Sequence, residues 1–426
     1  MHYREFLKRL LPICLAVCCL SSQAQDLAQQ RRTYRLAQLA MAAGQMQTFK
    51  QLQAQLSSYP LYPYLVFEEL KRRLYSAPDA EIEGFIERYA DTPLADVMRD
   101  YWLYRLYSED RWQKFLEVYD GRAVTEYMCY DVRARIRAGR MDTVIEDAKR
   151  LWLVGYSQHR ACDSLFAWLK QQEEFTSEWV WQRIELAMYA GNPGLAGYLA
   201  EQLNDQDRAW VTLWQQVYSN PQIILNEPAL KGDELVAREI LMHGALLLAE
   251  RDVERGRTAW EQLKLDHAFE ADERDYVDRS IALLAAYRHH PQADAWLNGL
   301  PASAQNDDVQ TWRARTAMRE GDWPTLTRAI GALDDTTDEL LMWRYWQARA
   351  LEGSGDSETA HQLYVTLARE RDYYGFLAAD RLGAPYSIIN ARLINDPAAA
   401  GTLIKIPGIR RAYELLRVGD ETNARR

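Results

Sequence analysis

Five residues recur at one fixed interval near the end of this chain: Trp312, Ala314, Arg315, Gly321 and Asp322 return as Trp346, Ala348, Arg349, Gly355 and Asp356, each 34 residues on. A period of 34 is that of the tetratricopeptide helix pair. In each copy the glycine closes one helix and the aspartate caps the next, and Pro324 falls in a first turn, where a missing N–H costs nothing. A single pair hides only one of its faces, so pairs must stack on their neighbours. The expected fold is all-α: a right-handed superhelix or ring of stacked short helix pairs, a tetratricopeptide-like solenoid.

The upstream sequence reads the same way, and period-two strand patterns are hard to find. Leu36, Leu39, Ala40 and Ala43 make one apolar stripe, and Phe49, Leu52 and Leu56 make the next after a break at Gly44. Pro60 and Pro63 predict an extended corner before a helix carrying Phe67, Leu70 and Leu74. Gly191-Asn192-Pro193 separates Ile184, Ala187 and Met188 from Leu195, Tyr198 and Leu199. The chain holds 14 Trp and 25 Tyr, whose faces could stack on sugar rings. Most fall on the inward stripes of helix pairs, as Trp312 and Trp346 do, so core packing is their default role.

The first 24 residues read as a secretory signal peptide. Arg4, Lys8 and Arg9 precede an apolar run from Leu10 to Leu20, and Ser22-Gln23-Ala24 has the form of a cleavage site. A lipoprotein site at Leu15-Ala16-Val17-Cys18 is the alternative, with Val17 bulky where a small residue is expected. No later stretch has the roughly 20 apolar residues a membrane span needs. The formal net charge is −10, and losing the basic leader makes the mature chain more acidic still. Such a chain lacks the basic field that nucleic-acid or anionic-membrane binding uses. Of five cysteines, Cys14, Cys18 and Cys19 leave with the leader. Cys129 and Cys162 remain as an even pair, which in an oxidising compartment predicts one disulfide; two buried free thiols are the alternative.

Arg371 to Tyr386 breaks the repeat. Tyr373, Phe376, Leu377 and Ala379 to Leu382 predict an apolar helix face, with Asp372, Asp380 and Arg381 outward, and Gly383 and Pro385 ending the helix. Beyond it, Ala384 to Pro397 reads as an extended connector, followed by one amphipathic helix with Ile409, Ala412, Tyr413, Leu415 and Leu416. From Asp420 onward a helix-start signal appears without the apolar residues to follow.

The run Tyr373-Tyr374-Gly375-Phe376-Leu377-Ala378-Ala379-Asp380-Arg381-Leu382-Gly383 resembles the signature of soluble lytic murein transglycosylases, where it marks the passage from a ring of helices into the linker before the catalytic domain. Tyr59-Pro60-Leu61-Tyr62-Pro63-Tyr64-Leu65, the cysteine pair bracketing Leu151-Trp152-Leu153, and Trp343 to Leu351 are similar to that family too. The resemblance implies a signal peptide over 1–24, a helical ring over 25–370 and part of a linker domain over 371–426, in the periplasm. It also implies non-hydrolytic cleavage of the MurNAc-GlcNAc bond of peptidoglycan, leaving 1,6-anhydromuramyl ends, by a lysozyme-like domain bearing a Glu-Ser pair with Gly-Leu-Met-Gln and Ala-Tyr-Asn-Ala-Gly motifs. Those strings do not occur in this sequence, so no catalytic residue is assigned and no activity is expected of the chain alone. The partners implied are peptidoglycan, through a catalytic domain or the ring bore, and other murein enzymes.

Other chemistries lack support. His267, Glu270 and Glu273 have partial metal-ligand spacing without a second histidine at i+4, and His289-His290 reads as loop surface. No metal or cofactor is expected. The alternative function is an exported tetratricopeptide-like scaffold that binds a protein or peptide partner; the non-repeat run at Tyr373 to Gly383 discriminates between the two.

Overall fold

A computed structural model describes residues 26–333, 340–388 and 401–426. The leader, and the part of the expected connector beyond residue 388, lie outside the described residues. Those described hold α-helices and short 3-10 turns and no strand. They fall into two compact units, one of residues 26–151, 159–169 and 401–426, the other of 152–158, 170–333 and 340–388.

The first unit runs α1 (26–42), α2 (Met46–Ala54), α3 (Tyr62–Arg72), α4 (Asp79–Arg88), α5 (Pro93–Ser108), α6 (Trp112–Val118), α7 (Thr125–Arg137), α8 (Val144–Trp152, its last residue in the other unit) and α9 (Asp163–Leu169). Gly44 turns the chain from α1 to α2 at φ 73°, a backbone that L side chains rarely adopt. Pro63 lies in the first turn of α3 rather than in an extended corner, because its absent N–H would be unpaired there anyway. The buried Arg105 guanidinium on α5 donates to Leu74 O and Ala77 O at 2.6 and 2.7 Å, satisfying carbonyls after α3 that no helix bond reaches.

Tyr34, Ala37, Ala40 and Met41 of α1 pack on Phe49, Leu56, Tyr59, Leu61 and Leu65. This corrects the α1 stripe: Leu36 and Leu39 are exposed, and the spacing i, i+3, i+7 from Tyr34 points inward instead.

The second unit runs α10 (Ser177–Tyr189), α11 (Pro193–Ala200), α12 (Asp205–Ser219), α13 (Leu235–Arg251), α14 (Val253–Asp266), α15 (Ala271–Tyr287), α16 (Ala293–Asn298), α17 (Asp307–Glu320), α18 (Trp323–Gly331), α19 (Leu340–Gly353), α20 (Ser357–Leu367) and α21 (Tyr373–Leu382). The 34-residue repeat folds as its turn chemistry dictates. Gly321 ends α17 in the left-handed region, Asp322 accepts the Thr325 amide at the start of α18, and Asp356 accepts the Thr359 amide at the start of α20. Ala314 and Ala317 on α17 and Ala348 and Ala350 on α19 are fully buried, beside Val309, Leu326 and Trp343, whereas Trp312 and Trp346 are half-buried rather than core. Small side chains let paired helices approach closely, and the indoles lie at the edge of the contact, Trp312 against Tyr287 with centroids 4.6 Å apart. Tyr198, expected inward on α11, is exposed; Ala196, Leu199 and Ala200 form the buried face instead.

Two further helices, α22 (Pro407–Val418) and the single turn α23 (Glu421–Ala424), belong to the first unit. Asp420 caps α23 by accepting the Asn423 amide at 3.1 Å, as the polar start signal predicts. Among the described residues no helix is long and apolar enough to cross a membrane.

Candidate functional site

The Tyr373 to Gly383 run forms α21. Asp372 Oδ1 accepts the Tyr374 amide at 2.8 Å, and Gly383 closes the helix at φ 62°. Its buried face is Gly375, Ala378 and Ala379. Gly375 is required by packing, since a Cβ there would run into the carbonyl oxygen of Glu370 and lie 2.8 Å from that of Leu367.

Around that face Tyr374 sits 5.8 Å from the Tyr345 ring, and Leu377 and Leu382 are partly buried on the Tyr345, Tyr364 and Leu367 cluster. Tyr373, expected on the apolar face, is 64% exposed, because the position two before the buried Gly375 falls on the opposite side of the helix. Asp380 and Arg381 are exposed as read and remain tethered. Asp380 Oδ1 accepts the Tyr386 hydroxyl at 2.8 Å, and Arg381 stands 3.6 Å from Glu352, which also accepts the Tyr364 hydroxyl at 3.0 Å. The helix is thus seated by close packing, and its charged groups pair with neighbouring residues.

Cys129 on α7 and Cys162 just before α9 are fully buried with Cα atoms 5.1 Å apart, at disulfide distance, across a sequence separation of 33. His267 faces Asp233 across 3.2 Å, Glu270 and Glu273 form a capping box on α15, and Glu273 also pairs with Arg238 at 3.2 Å. These residues hold the fold together, and among the described residues no cluster of three or more could hold a metal ion.

Sequence reasoning missed a buried, fully partnered charge in the first unit. Glu414 on α22 is 1% exposed. Its two oxygens accept from Arg31 Nε and Nη2 at 2.7 and 2.6 Å, and Oε2 also accepts the Tyr59 hydroxyl at 2.9 Å. Burial, and then this carboxylate, push the Tyr59 phenol far above its usual range, so it remains a donor at any working pH. Nearby, Arg411 donates to Asp91 Oδ2 at 2.9 Å and to Asp91 O at 2.7 Å.

The helix expected to bury Ile409, Tyr413 and Leu416 exposes all three. The inward stripe is Arg411, Glu414, Leu415 and Val418, a mixed pattern at helical spacing. Leu415 alone of the expected apolar set is fully buried, on the α1 to α3 cluster. The signal was present, in charges three apart beside Leu415, yet a stripe search counting only apolar residues passes over it.

No known family's sequence profile matches the chain. The soluble lytic murein transglycosylase of Salmonella typhimurium is 26% identical over 417 residues, covering 97% of this chain and 64% of that protein. Among solved structures, an inactive mutant of the lytic transglycosylase Slt from Pseudomonas aeruginosa superposes with a TM-score of 0.84 at 32% identity, over 92% of this chain and 64% of that one. The 70 kDa soluble lytic transglycosylase from Escherichia coli gives 0.74 at 26% identity, over 94% of this chain and 65% of that one. By sequence and by fold, then, the chain is homologous to the soluble lytic murein transglycosylases over nearly its whole length, while spanning less than two thirds of theirs.

Proposed function

We propose that these residues form the non-catalytic helical part of a periplasmic lytic murein transglycosylase, which engages peptidoglycan and holds a catalytic part in position on it. The observation that carries this reading is the match of nearly the whole chain to under two thirds of its relatives, together with the absence of the glutamate-bearing strings from its own sequence. A second feature fits. With Arg411 and Glu414 inward, α22 and the residues before it turn Leu403, Ile406, Ile409 and Leu416 to solvent, an apolar face of the kind that packs on another domain. The basic and apolar residues before Ala24 support export to the periplasm.

The test is to incubate the purified mature chain with peptidoglycan sacculi, then analyse the soluble fraction for 1,6-anhydromuropeptides and the pellet for bound protein. Binding without release of anhydro products is the expected result. Release would overturn the non-catalytic assignment, and the absence of both would overturn the murein reading.

A further inference from the structure

We propose that the cleft between α10, α12 and α13 of the second unit is a binding site for an organic cation: an ammonium group carried on an apolar body, as in a lysine side chain of a peptide. The cleft has a volume of about 700 Å³, room for two or three peptide residues. Its walls carry five carboxylates, Glu178, Glu185, Asp207, Glu234 and Glu239, and three indoles, Trp181, Trp210 and Trp214. Among the residues that line it there is no lysine, arginine or histidine.

Each class of side chain points to the same ligand chemistry. Indole faces attract cations more strongly than any other neutral side chain, and Trp181 and Trp210 are half-buried in the wall. Trp214 is fixed in orientation, its Nε1 donating to His243 Nδ1 at 2.9 Å. Glu185 and Glu239 face one another from α10 and α13, and no ion pair joins either to a cation among the described residues. The base beside them, Arg238, is engaged elsewhere, with Glu273 at 3.2 Å and with Asp233 O at 2.9 Å. A solvated acidic face would leave its carboxylates in water; here Glu185, Asp207 and Glu239 are half-buried beside aromatic rings, and Glu178 and Glu234 are exposed.

The consequence is a proton where a cation fits. Burial, and then Glu239, raise Glu185 to about 7, and burial raises Glu239 as well, against the hydrogen bond it accepts from Tyr189. Glu273 and Tyr276 face the pair from α15, and His243, lowered to about 4 by burial, stays neutral through this range. An entering ammonium displaces the proton that Glu185 keeps, so affinity rises between pH 6 and pH 8. The chemistry of the cleft is independent of whether the chain works on murein.

The test titrates the purified chain with trilysine amide, and separately with the fully N-acetylated peptide, following indole fluorescence and binding heat. The expected result is saturable binding of the cationic peptide alone, tightening from pH 6 to pH 8. The double variant E185Q/E239Q should weaken it about tenfold and flatten the pH profile. W210L, at a half-buried position, should weaken it about fivefold while leaving the pH profile in place. Removing two charges of an acidic chain leaves non-specific attraction nearly unchanged, so equal affinity of E185Q/E239Q and wild type would overturn the proposal. Equal binding of the acetylated peptide, or no saturable binding by the wild type, would overturn it too. Should E185Q/E239Q fail to fold, W210L and the acetylated peptide still decide.

Discussion

α21 and α22 are each one amphipathic helix ending at a left-handed glycine, and they are seated by opposite means. α21 buries Gly375, Ala378 and Ala379 and leaves its charges outside, so shape holds it. α22 buries Arg411 and Glu414 and leaves Ile409, Tyr413 and Leu416 outside, so buried charge holds it, with Leu415 as its apolar anchor. A shape-seated helix tolerates solvent and pH changes yet resists any added atom. A charge-seated helix is selective, because each half of a buried pair is costly without the other. It also frees an apolar face for use elsewhere.

The contrast can be broken from either side. The largest effect is expected at Glu414. Glu414→Ala strands Arg31 and the buried Tyr59 hydroxyl and should destabilise the first unit by about 3–5 kcal/mol, read in urea as loss of its transition. Reducing the Cys129 to Cys162 link should cost the same unit about 3–4 kcal/mol under the chain-entropy account, checked by melting with and without reductant. Gly375→Ala should cost about 1–3 kcal/mol through overpacking against Glu370 O, with the loss confined to the second unit. Asp322→Ala and Asp356→Ala should each cost about 1 kcal/mol, and nearly equal losses would confirm that the two repeats use one cap.

The smallest effect is one of pH. The folded Glu185 carboxyl, at about 7, lies above its unfolded value, so the folded state holds an extra proton between roughly pH 4.5 and 7 and stability falls as pH rises through that window. Glu185→Gln should therefore raise the melting temperature at pH 8 and leave it unchanged at pH 4.5. His243 titrates in the opposite sense, so the difference between variant and wild type isolates the glutamate.

What the sequence made legible was whatever local chemistry decides. Gly321, Asp322 and Asp356 act as their types predict, because a cap needs only its own turn. The end of α21 at Gly383 is legible for the same reason, whereas Asp372, read as an outward position, is its cap. Orientation was less legible. Leu36, Tyr198 and Tyr373 are apolar and exposed, and which face of a helix is inward depends on partners distant in sequence. Glu414 was the hardest to foresee, since its partner Arg31 lies 383 residues away and neither residue is conspicuous until the two meet.

The measurement that tests charge seating most directly is a double-mutant cycle with Arg31→Met and Glu414→Leu in the full chain, read by urea unfolding of the first unit. Charge seating predicts two damaging single variants, a double variant close to wild type and hence a coupling about as large as the two single losses together. Additive losses, with a coupling below about 0.5 kcal/mol, would contradict it and place the hold on Leu415 instead.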